Sequence, residues 1–396
     1  MAVDALAQTE RPLVTRRAAG VRRMHEDDLP EIASLFERIH RSGSRLAAPG
    51  LMAAFLRTLL LTPWLDPEIP SLVYEANGAV MGFVGLHVRR ITFDGRPYRM
   101  AFPAHLMADP DARGMPAGAL LLRRALDGPQ DVTTSTAGSG VARMWERLGG
   151  VTVGVPSVGW ARAFRPAALL GGLAAEHAGR PAAARRCAPM LDLVDRVASP
   201  KVLSFATHLG GRGQAVAATE PAAGTTVEPL TARHVVEHGP ELAGRARLRV
   251  AYDEPFLEWL FGEMQAVTGR GELVRRLVRG PDGRVLGWHV SFLHRTRVSR
   301  VLQVVAREGA AGIVLDHLFD EASRYGTPAV RGRLESWLLP ALWERPCLLL
   351  RETRDLVHTR DPQLLEPIRL GEALFTPMDG EAWMGHHLDP VPGVGA

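Results

Sequence analysis

The chain has 396 residues, of which 46% are hydrophobic and 23% charged, and its formal net charge is +4. This length favours two domains, and the hydrophobic share is sufficient for each of them to bury a core. No apolar run approaches the roughly 18 residues that a membrane span requires, so we expect no membrane segment.

Charge and cysteine usage exclude further classes of protein. Arginine supplies nearly all of the positive charge, with Lys201 as the one lysine. The arginines are dispersed among acidic residues, so we expect no nucleic-acid partner. Cys187 and Cys347 lie too far apart for a zinc motif, and we expect no metal site. Residues 1–20 lack the apolar centre of a signal peptide and are predicted to be a disordered tail, which favours a cytoplasmic protein.

The first predicted elements are a strand, a helix and a hairpin. The strand covers Val21–Met24. Asp28 is predicted to cap the helix that follows, with Glu31 completing a capping box. Asn77-Gly78 is the dipeptide that a type I′ turn prefers, and it predicts a hairpin of two strands, Ser71–Ala76 and Ala79–Val88.

A glycine-bearing loop follows the next strand. The strand Arg99–Ala108 is predicted to lead through this loop, Arg113–Ala119, into an apolar helix. Backbone N–H groups at a helix N-terminus are unpaired and attract anions, and glycine allows a phosphate to approach closely. A buried strand, 131–136, and a helix that ends near Trp145–Gly149 complete this half of the chain.

The second half repeats the first. Val80-Met81-Gly82-Phe83 aligns with Val285-Leu286-Gly287-Trp288, and the opening strands at Val21 and Val227 align at nearly the same offset. The elements predicted there are hairpin strands Leu273–Arg279 and Arg284–Leu293 around Asp282-Gly283, a strand Ser299–Arg307, a helix Ile313–Tyr325 and a strand Thr327–Glu335. We therefore predict an α/β protein with tandem units at 21–164 and 227–396, each a mixed twisted sheet flanked by helices, joined by a helical and flexible linker at 165–226.

Four blocks of the first unit, in this order, resemble the GCN5-related N-acetyltransferases. They are the hairpin, the strand end Leu106–Asp111, the loop Arg113–Gly118 and the helix end Arg143–Gly150. The loop fits the family pattern Arg-Gly-x-Gly-x-Gly/Ala except at Pro116. The resemblance covers Val21 to about Gly154 closely, but 227–337 in element order only, so the second unit is expected to be degenerate for coenzyme A.

The resemblance implies an N-acyltransferase that uses acetyl-coenzyme A or another acyl-coenzyme A. The acyl group would pass directly to an amine of a small molecule or sugar. Backbone groups at the end of the strand would pair with the pantetheine arm, and loop N–H groups would hold the pyrophosphate. The residues that the resemblance assigns to the cofactor are Leu106, Met107, Ala108, Arg113, Gly114, Met115, Ala117, Gly118 and Ala119.

Two departures from the family pattern bear on the activity of this site. Pro116 has no N–H to donate, and one lost hydrogen bond to a charged group costs roughly 1.5–3 kcal/mol. Trp145 stands where the family often has a tyrosine that acts as general acid, and an indole cannot protonate a leaving thiolate.

Acyl transfer also needs a general base to take a proton from the amine. His105 is the first candidate and Asp109 the second, although a core histidine and a turn cap are the alternative interpretations. Ser135 and Glu335, each at the end of a strand, are candidate substrate contacts or ordinary satisfied polar residues. Met378–Trp383 is predicted to be a turn anchored by its tryptophan.

Two other functions remain open. A degenerate acetyltransferase fold could bind a ligand or partner without catalysis, as Pro116 and Trp145 would suggest. Aminoacyl-transferases that build peptidoglycan cross-bridges are also tandem copies of this fold, but they usually carry a long helical-hairpin arm that we do not identify. The second unit is expected to shape the acceptor pocket or the surface of a homodimer.

Overall fold

The computed structural model describes residues 19–40, 49–110, 115–166, 220–351 and 354–385. These residues form two mixed β-sheets, one of nine strands and one of seven, with helices packed on them. The predicted tail up to residue 18 and the linker at 167–219 lie outside the described residues.

The first sheet contains most strands of the first half. Its strands are β1 (Gly20–Arg23), β2 (Leu72–Ala76), β3 (Ala79–Phe93), β4 (Arg96–Ala108), β5 (Val132–Ala137), β6 (Val151–Val153), β9 (Leu248–Val250), β15 (Arg354–Thr359) and β16 (Ala373–Leu374). The helices of this half are α1 (Leu29–His40), α2 (Pro49–Leu59), α3 (Ala117–Leu126) and α4 (Ser139–Arg147). Helices α1 and α2 pack on one face of the sheet and α3 on the other, as predicted.

The second sheet repeats this arrangement. Its strands are β7 (Val158–Ala163), β8 (Thr226–Pro229), β10 (Glu272–Arg279), β11 (Val285–Leu293), β12 (Ser299–Ala306), β13 (Ala329–Arg333) and β14 (Leu348–Arg351). The helices of the second half are α5 (Ala232–Leu242), α6 (Glu254–Gln265), α7 (Ala311–Tyr325), α8 (Leu339–Trp343) and α9 (Pro362–Leu370). The tandem α/β architecture predicted from the repeat is confirmed.

The two sheets exchange a strand. The first has the order β1-β2-β3-β4-β5-β15-β6, and the second, read from the matching edge, has β8-β10-β11-β12-β13-β7-β14. Strand β15 of the second half pairs with β5 and β6, while β7 of the first half pairs with β13 and β14. Each sheet is therefore completed by the other half of the chain, which the sequence repeat did not indicate.

The predicted hairpin has the expected turn. Asn77 and Gly78 have φ values of 54° and 77°, as a type I′ turn requires at both central positions. A second turn of the same kind, at Asp94 and Gly95 with φ values of 48° and 81°, joins β3 to β4. Strand β3 therefore extends beyond its predicted end at Val88, and β4 begins before its predicted start at Arg99.

The predicted start of α1 is wrong. A short 3₁₀ turn precedes the helix, and His25 rather than Asp28 is its N-cap. The Asp28 carboxylate accepts a hydrogen bond from the His25 backbone N–H and two more from Arg22. Glu31 accepts from the backbone N–H of Val80 in the neighbouring hairpin. Asp28 is therefore the third residue of a capping box that begins at His25, and its second partner, Arg22, and the partner of Glu31 lie on strands that a local capping pattern does not include.

The largest apolar core lies between the two sheets and draws on both halves of the chain. It includes Met100 and Val132 of the first sheet, Trp288 of the second, and Phe256 of α6, all of them buried. The segment after β16 packs into the same core through Trp383, which is 1% exposed. Residues 377–383 form turns anchored by this tryptophan, as predicted.

Trp145 joins the first half to the exchanged strand. Its indole Nε1 donates a 3.0 Å hydrogen bond to the Val357 carbonyl of β15. Gly150 leaves room for the ring, since a Cβ at this position would lie 2.0 Å from it. The side chain at the position of the family's tyrosine thus has a structural role.

No helix among the described residues is long and apolar enough to cross a bilayer.

Candidate active site

The first sheet opens between β4 and β5. These two strands run parallel and pair only at Met100–Val132 and Ala101–Thr133. Past Ala101, no other described strand pairs with this edge of β4. The Ser135 hydroxyl donates to the Pro103 carbonyl at 3.2 Å, just inside the opening. Farther along, the opening leaves a length of β4 edge to which an extended molecule could hydrogen-bond.

A β-bulge lies within this open part of β4. His105 and Leu106 stand opposite the single residue Val84 of β3. The φ of His105 is +53°, in the left-handed region that residues with a side chain seldom adopt. The extra residue also reverses the alternation of the strand, so that Ala101 and Leu106 both pack towards α3. The side chain of His105 consequently lies on the opposite face.

The predicted cofactor residues lie at the end of this opening. Leu106, Met107 and Ala108 are the last residues of β4, and Ala117, Gly118 and Ala119 form the first turn of α3. The backbone N–H groups of that turn have no acceptor within the helix, as expected for a helix N-terminus. Met115 precedes the helix and packs against the adjoining core. Arg113 and Gly114 lie outside the described residues.

Pro116 is the N-cap of α3. Its φ is −81°, and its carbonyl accepts the Leu120 N–H at 2.9 Å, the first bond of the helix. The proline therefore precedes the first turn instead of occupying it. The three donors that follow it, at Ala117, Gly118 and Ala119, are intact.

A cavity of about 260 Å³ lies on the other side of the opening, between the two sheets. Strands β4, β5, β12, β13 and β15 and the segment after β16 all contribute to its wall. Its charged lining residues are Arg270, Arg300, Arg331, Arg333, Asp355, Asp379 and Glu381. This volume is near the lower end of the range typical of small-ligand pockets, roughly 300–1,000 Å³.

Glu381 brings a carboxylate from the cavity to the bulge. Its Oε2 is 3.7 Å from Nδ1 of His105, and the backbone N–H of His105 is directed at the same carboxylate. Burial raises the pKa of Glu381 from 4.5 to about 7, although the His105 N–H and the charges of Arg270 and Arg300 oppose this. Because 27% of the side chain is exposed, the group remains accessible from the cavity. A carboxyl group with this pKa can accept a proton near neutral pH.

The imidazole of His105 is held in position by aromatic rings. The rings of Phe36 and Phe55 contact it edge-on, with centroids 5.6 and 5.5 Å away. Its side chain has no exposed surface. The histidine predicted as a base is thus enclosed, and its Nδ1 side is directed towards Glu381.

The other predicted site residues lie outside the large cavity. Asp109 directly follows β4 and forms an ion pair with Arg38, in which Oδ2 of Asp109 is 2.6 Å from Nη2 of Arg38. Thr134 and Thr136 line the cavity, and because successive strand residues face opposite sides, Ser135 points away from it. Glu335 forms an ion pair with Arg333 at 2.9 Å and lines a smaller neighbouring cavity. Burial raises the pKa of Glu335 to about 7.

The sequence did not single out several groups that line this cavity. Asp379 accepts hydrogen bonds from Tyr252 and from Thr376, and burial raises its pKa. Arg270 donates two hydrogen bonds to the Met384 carbonyl. The one local signal was the acidic pair within Met378–Trp383, in the segment predicted only as an anchored turn. Tyr252 and His105, which contact Asp379 and Glu381, are too distant from them in the chain for a sequence motif to connect these residues.

Within the described ranges, no group of three or more His, Cys, Asp or Glu side chains is arranged to hold a metal ion. Cys347 is a partly buried free thiol, and burial raises its pKa to about 11. Cys187 lies outside the described residues.

Comparison with solved structures identifies the fold. A protein of Enterococcus faecalis, described as a probable N-acyltransferase, matches with a TM-score of 0.55 at 10% identity, over 88% of this chain and 74% of that one. A GCN5-related N-acetyltransferase from Kribbella flavida matches with a TM-score of 0.52 at 16% identity, over 86% and 71%. One from Anabaena variabilis gives 0.54 at 11%, over 87% and 73%.

No protein-family model and no curated protein matches the sequence. The identities to the solved structures are low, so the likeness is one of fold. The chain has the fold of the GCN5-related N-acetyltransferases, in two tandem units.

Proposed function

We propose that this protein is an N-acyltransferase that moves an acyl group, most simply acetyl, from acyl-coenzyme A to the amine of a small molecule. The observation that carries this proposal is the Glu381 carboxylate, which faces the bulge of β4 from a cavity and has a pKa of about 7. The fold supports it, because the opened sheet provides separate sides for a donor and an acceptor.

The donor side is the open edge of β4 and the start of α3. The backbone of Leu106 to Ala108 would hydrogen-bond the pantetheine arm. The N–H groups of Ala117 to Ala119, unpaired within the helix and at its positive end, would hold the pyrophosphate. Gly118 favours this approach, since even an added Cβ there would meet only Ala108, at 3.8 Å.

The acceptor side is the cavity. An amine there would lose a proton to Glu381 as its nitrogen attacks the thioester carbonyl. The C–N bond forms, the C–S bond breaks, and the sulfur leaves as a thiolate, which is protonated by the Glu381 carboxyl group or by water. The ordinary pKa of a thiol, about 8.5, makes the thiolate an acceptable leaving group without the acid that Trp145 cannot supply.

The predicted residues have defined places in this scheme. The His105 backbone N–H and imidazole would hold the Glu381 carboxylate, so that His105 positions the base. Asp109 would fix the end of β4 next to the cofactor loop through its ion pair with Arg38. Glu335 would hold the Arg333 side chain in the cavity wall through their ion pair.

Two measurements test the proposal. Calorimetry should detect acetyl-coenzyme A binding in the micromolar to low millimolar range, and thiol release should depend on an added amine. Absence of binding at millimolar acetyl-coenzyme A would refute the enzymatic function. Binding without thiol release for any amine would instead favour the non-catalytic alternative, which the hydrogen bond of Trp145 to β15 supports.

A further inference from the structure

The proposed base lies on a short backbone turn. The N–H of Met384 donates a 3.0 Å hydrogen bond to the Glu381 carbonyl and closes this turn. Trp383 and Met384, each 1% exposed, anchor the turn in the core between the two sheets. Glu381 itself lines the cavity, so its position depends on what holds the backbone of the turn.

Arg270 holds this backbone from a distant part of the chain. Its Nε and Nη2 both donate to the Met384 carbonyl, at 3.0 and 2.5 Å. Met384 is therefore bound to Glu381 through its N–H and to Arg270 through its carbonyl. One residue thus connects the guanidinium to the base, and a shift of Arg270 would displace the turn that carries Glu381.

The backbone next to Arg270 is itself constrained. Arg270 ends a 3₁₀ turn, Thr268–Arg270, between α6 and β10. Gly271 follows with a φ of +99°, and a Cβ at this position would lie 2.2 Å from the Leu293 carbonyl oxygen. Only glycine fits this conformation. The close approach to β11 therefore fixes the point from which the Arg270 side chain reaches the cavity.

Arg270 and Glu381 also interact through their charges. Burial lowers the pKa of Arg270 to about 10 and raises that of Glu381 to about 7, and in each residue the charge of the other opposes this effect. An opposite charge nearby favours the ionised form of a carboxyl group. The other titratable or charged groups around this carboxylate are His105 on β4, Arg300 on β12, Arg331 and Arg333 on β13, Asp355 on β15, and Asp379 on its own segment.

We propose that Arg270 is a positioning residue for acyl transfer: its hydrogen bonds fix the turn that carries Glu381, and its guanidinium provides an opposite charge close to that base. This inference rests on the proposed function and deepens it. A displacement of a catalytic group by about 1 Å can cost on the order of a hundredfold in rate. The connection between α6 and β10 therefore contributes to the reaction without contacting the reacting atoms.

Two substitutions separate the hydrogen bonds from the charge. Arg270→Lys keeps a positive charge but has no rigid fork of donors, whereas Arg270→Gln removes the charge. Thiol release is followed from pH 5.5 to 9 at saturating acetyl-coenzyme A and amine. The plateau of kcat at high pH reports the position of the base, and the inflection reports its ionisation. Arg233→Gln, at a side chain that is 78% exposed on α5, is the control.

The two variants should differ in a defined way. Arg270→Gln should lower the plateau by roughly ten- to a hundredfold, and Arg270→Lys by a smaller factor. Arg270→Gln should also raise the inflection by roughly one pH unit, whereas Arg270→Lys should leave it near the wild-type value of about 7. A merely structural arginine would lower the plateau without moving the inflection. In a Glu381→Gln background, Arg270→Gln should change kcat by no more than about twofold, because the two residues act together.

Unfolding in urea gives a reading that does not require catalysis. The native state keeps a proton on Glu381 up to about pH 7, so the free energy of unfolding falls as the pH rises through this value. In Arg270→Gln this fall should continue to a pH roughly one unit higher. Arg270→Lys and Arg233→Gln should follow the wild type.

The outcomes distinguish this inference from the proposed function. A plateau within about twofold of wild type in both variants overturns the positioning role, and an unmoved inflection in Arg270→Gln overturns the role of the charge. If Arg270→Gln does not fold, the plateau of Arg270→Lys decides. Absence of thiol release by the wild type overturns the acyltransferase function instead. The urea series then still tests the contact, and an unchanged pH dependence in Arg270→Gln overturns the interaction of Arg270 with Glu381.

Discussion

Replacing Glu381 by glutamine tests the proposed base directly. The amide has nearly the same size and can still accept a hydrogen bond from the His105 backbone, but it cannot take a proton. General-base catalysis typically contributes roughly 10²–10⁴ in rate. We therefore expect kcat/KM for amine acylation to fall by that factor. Affinity for coenzyme A should be unchanged, because Glu381 lies on the acceptor side of the opened sheet.

The pH dependence provides a second reading of the same substitution. A base must be ionised to act, so wild-type activity should rise with pH and level off above about 7, where Glu381 has lost its proton. Glu381→Gln should lose this inflection. Thiol release followed from pH 5.5 to 8.5 at saturating acetyl-coenzyme A measures both profiles.

Stability should change in the opposite direction to activity. Burial raises the pKa of Glu381 from 4.5 to about 7, so the native state keeps a proton that the unfolded chain releases between these values. The protonated carboxyl group of Glu381 therefore favours the native state fully below pH 4.5, and this contribution to the free energy of unfolding is lost as the pH rises through 7. At 1.36 kcal/mol per pKa unit, the cost above pH 7 is at most roughly 3–4 kcal/mol. The 27% exposure of the side chain makes this an upper bound.

Glu381→Gln removes that cost and should raise the free energy of unfolding at pH 8, as measured in urea. Glu258→Gln, at an exposed position of α6, is the matched control and should change neither activity nor stability. Full activity of Glu381→Gln with an unchanged pH profile would refute the assignment of the base. A less stable variant at pH 8 would show that the carboxylate is mainly structural.

Three further substitutions test the remaining parts of the site. Pro116→Ala restores a backbone N–H before α3 and should tighten coenzyme A binding by roughly ten- to a hundredfold in calorimetry if that donor contacts a phosphate; no change would show that the donors from Ala117 onward suffice. Trp145→Phe removes the hydrogen bond from the indole to the Val357 carbonyl and should lower the free energy of unfolding by about 0.5–1.5 kcal/mol, with no loss arguing that water replaces the indole. Arg333→Met removes the ion pairs to Glu335 and Asp355 and should cost roughly 3–5 kcal/mol at pH 8, less at pH 5 where Glu335 takes up a proton; a loss that does not depend on pH would contradict the ion-pair explanation.

The sequence by itself determined the local elements and their repetition. Asn77-Gly78 predicted its turn because both residues tolerate positive φ, and the observed angles agree. The strand, loop and helix around Ala117 were predicted from apolar periodicity and glycine placement, which act over a few residues. The nearly constant offset between the halves then predicted two copies of one α/β unit, and the four blocks of the first unit carried the resemblance to the acetyltransferase fold. The start of α1 failed because Arg22 and Val80, which bind Asp28 and Glu31, are contributed by strands.

Only the tertiary structure decided what faces the opened sheet. Strands β7 and β15 take corresponding positions in the two sheets, so the sequence pattern of either strand does not reveal the exchange. Glu381 meets His105 because the segment after β16 is buried between the sheets, and its raised pKa arises from that burial. Desolvation and long-range charge depend on where distant segments pack, and no spacing within either segment encodes that.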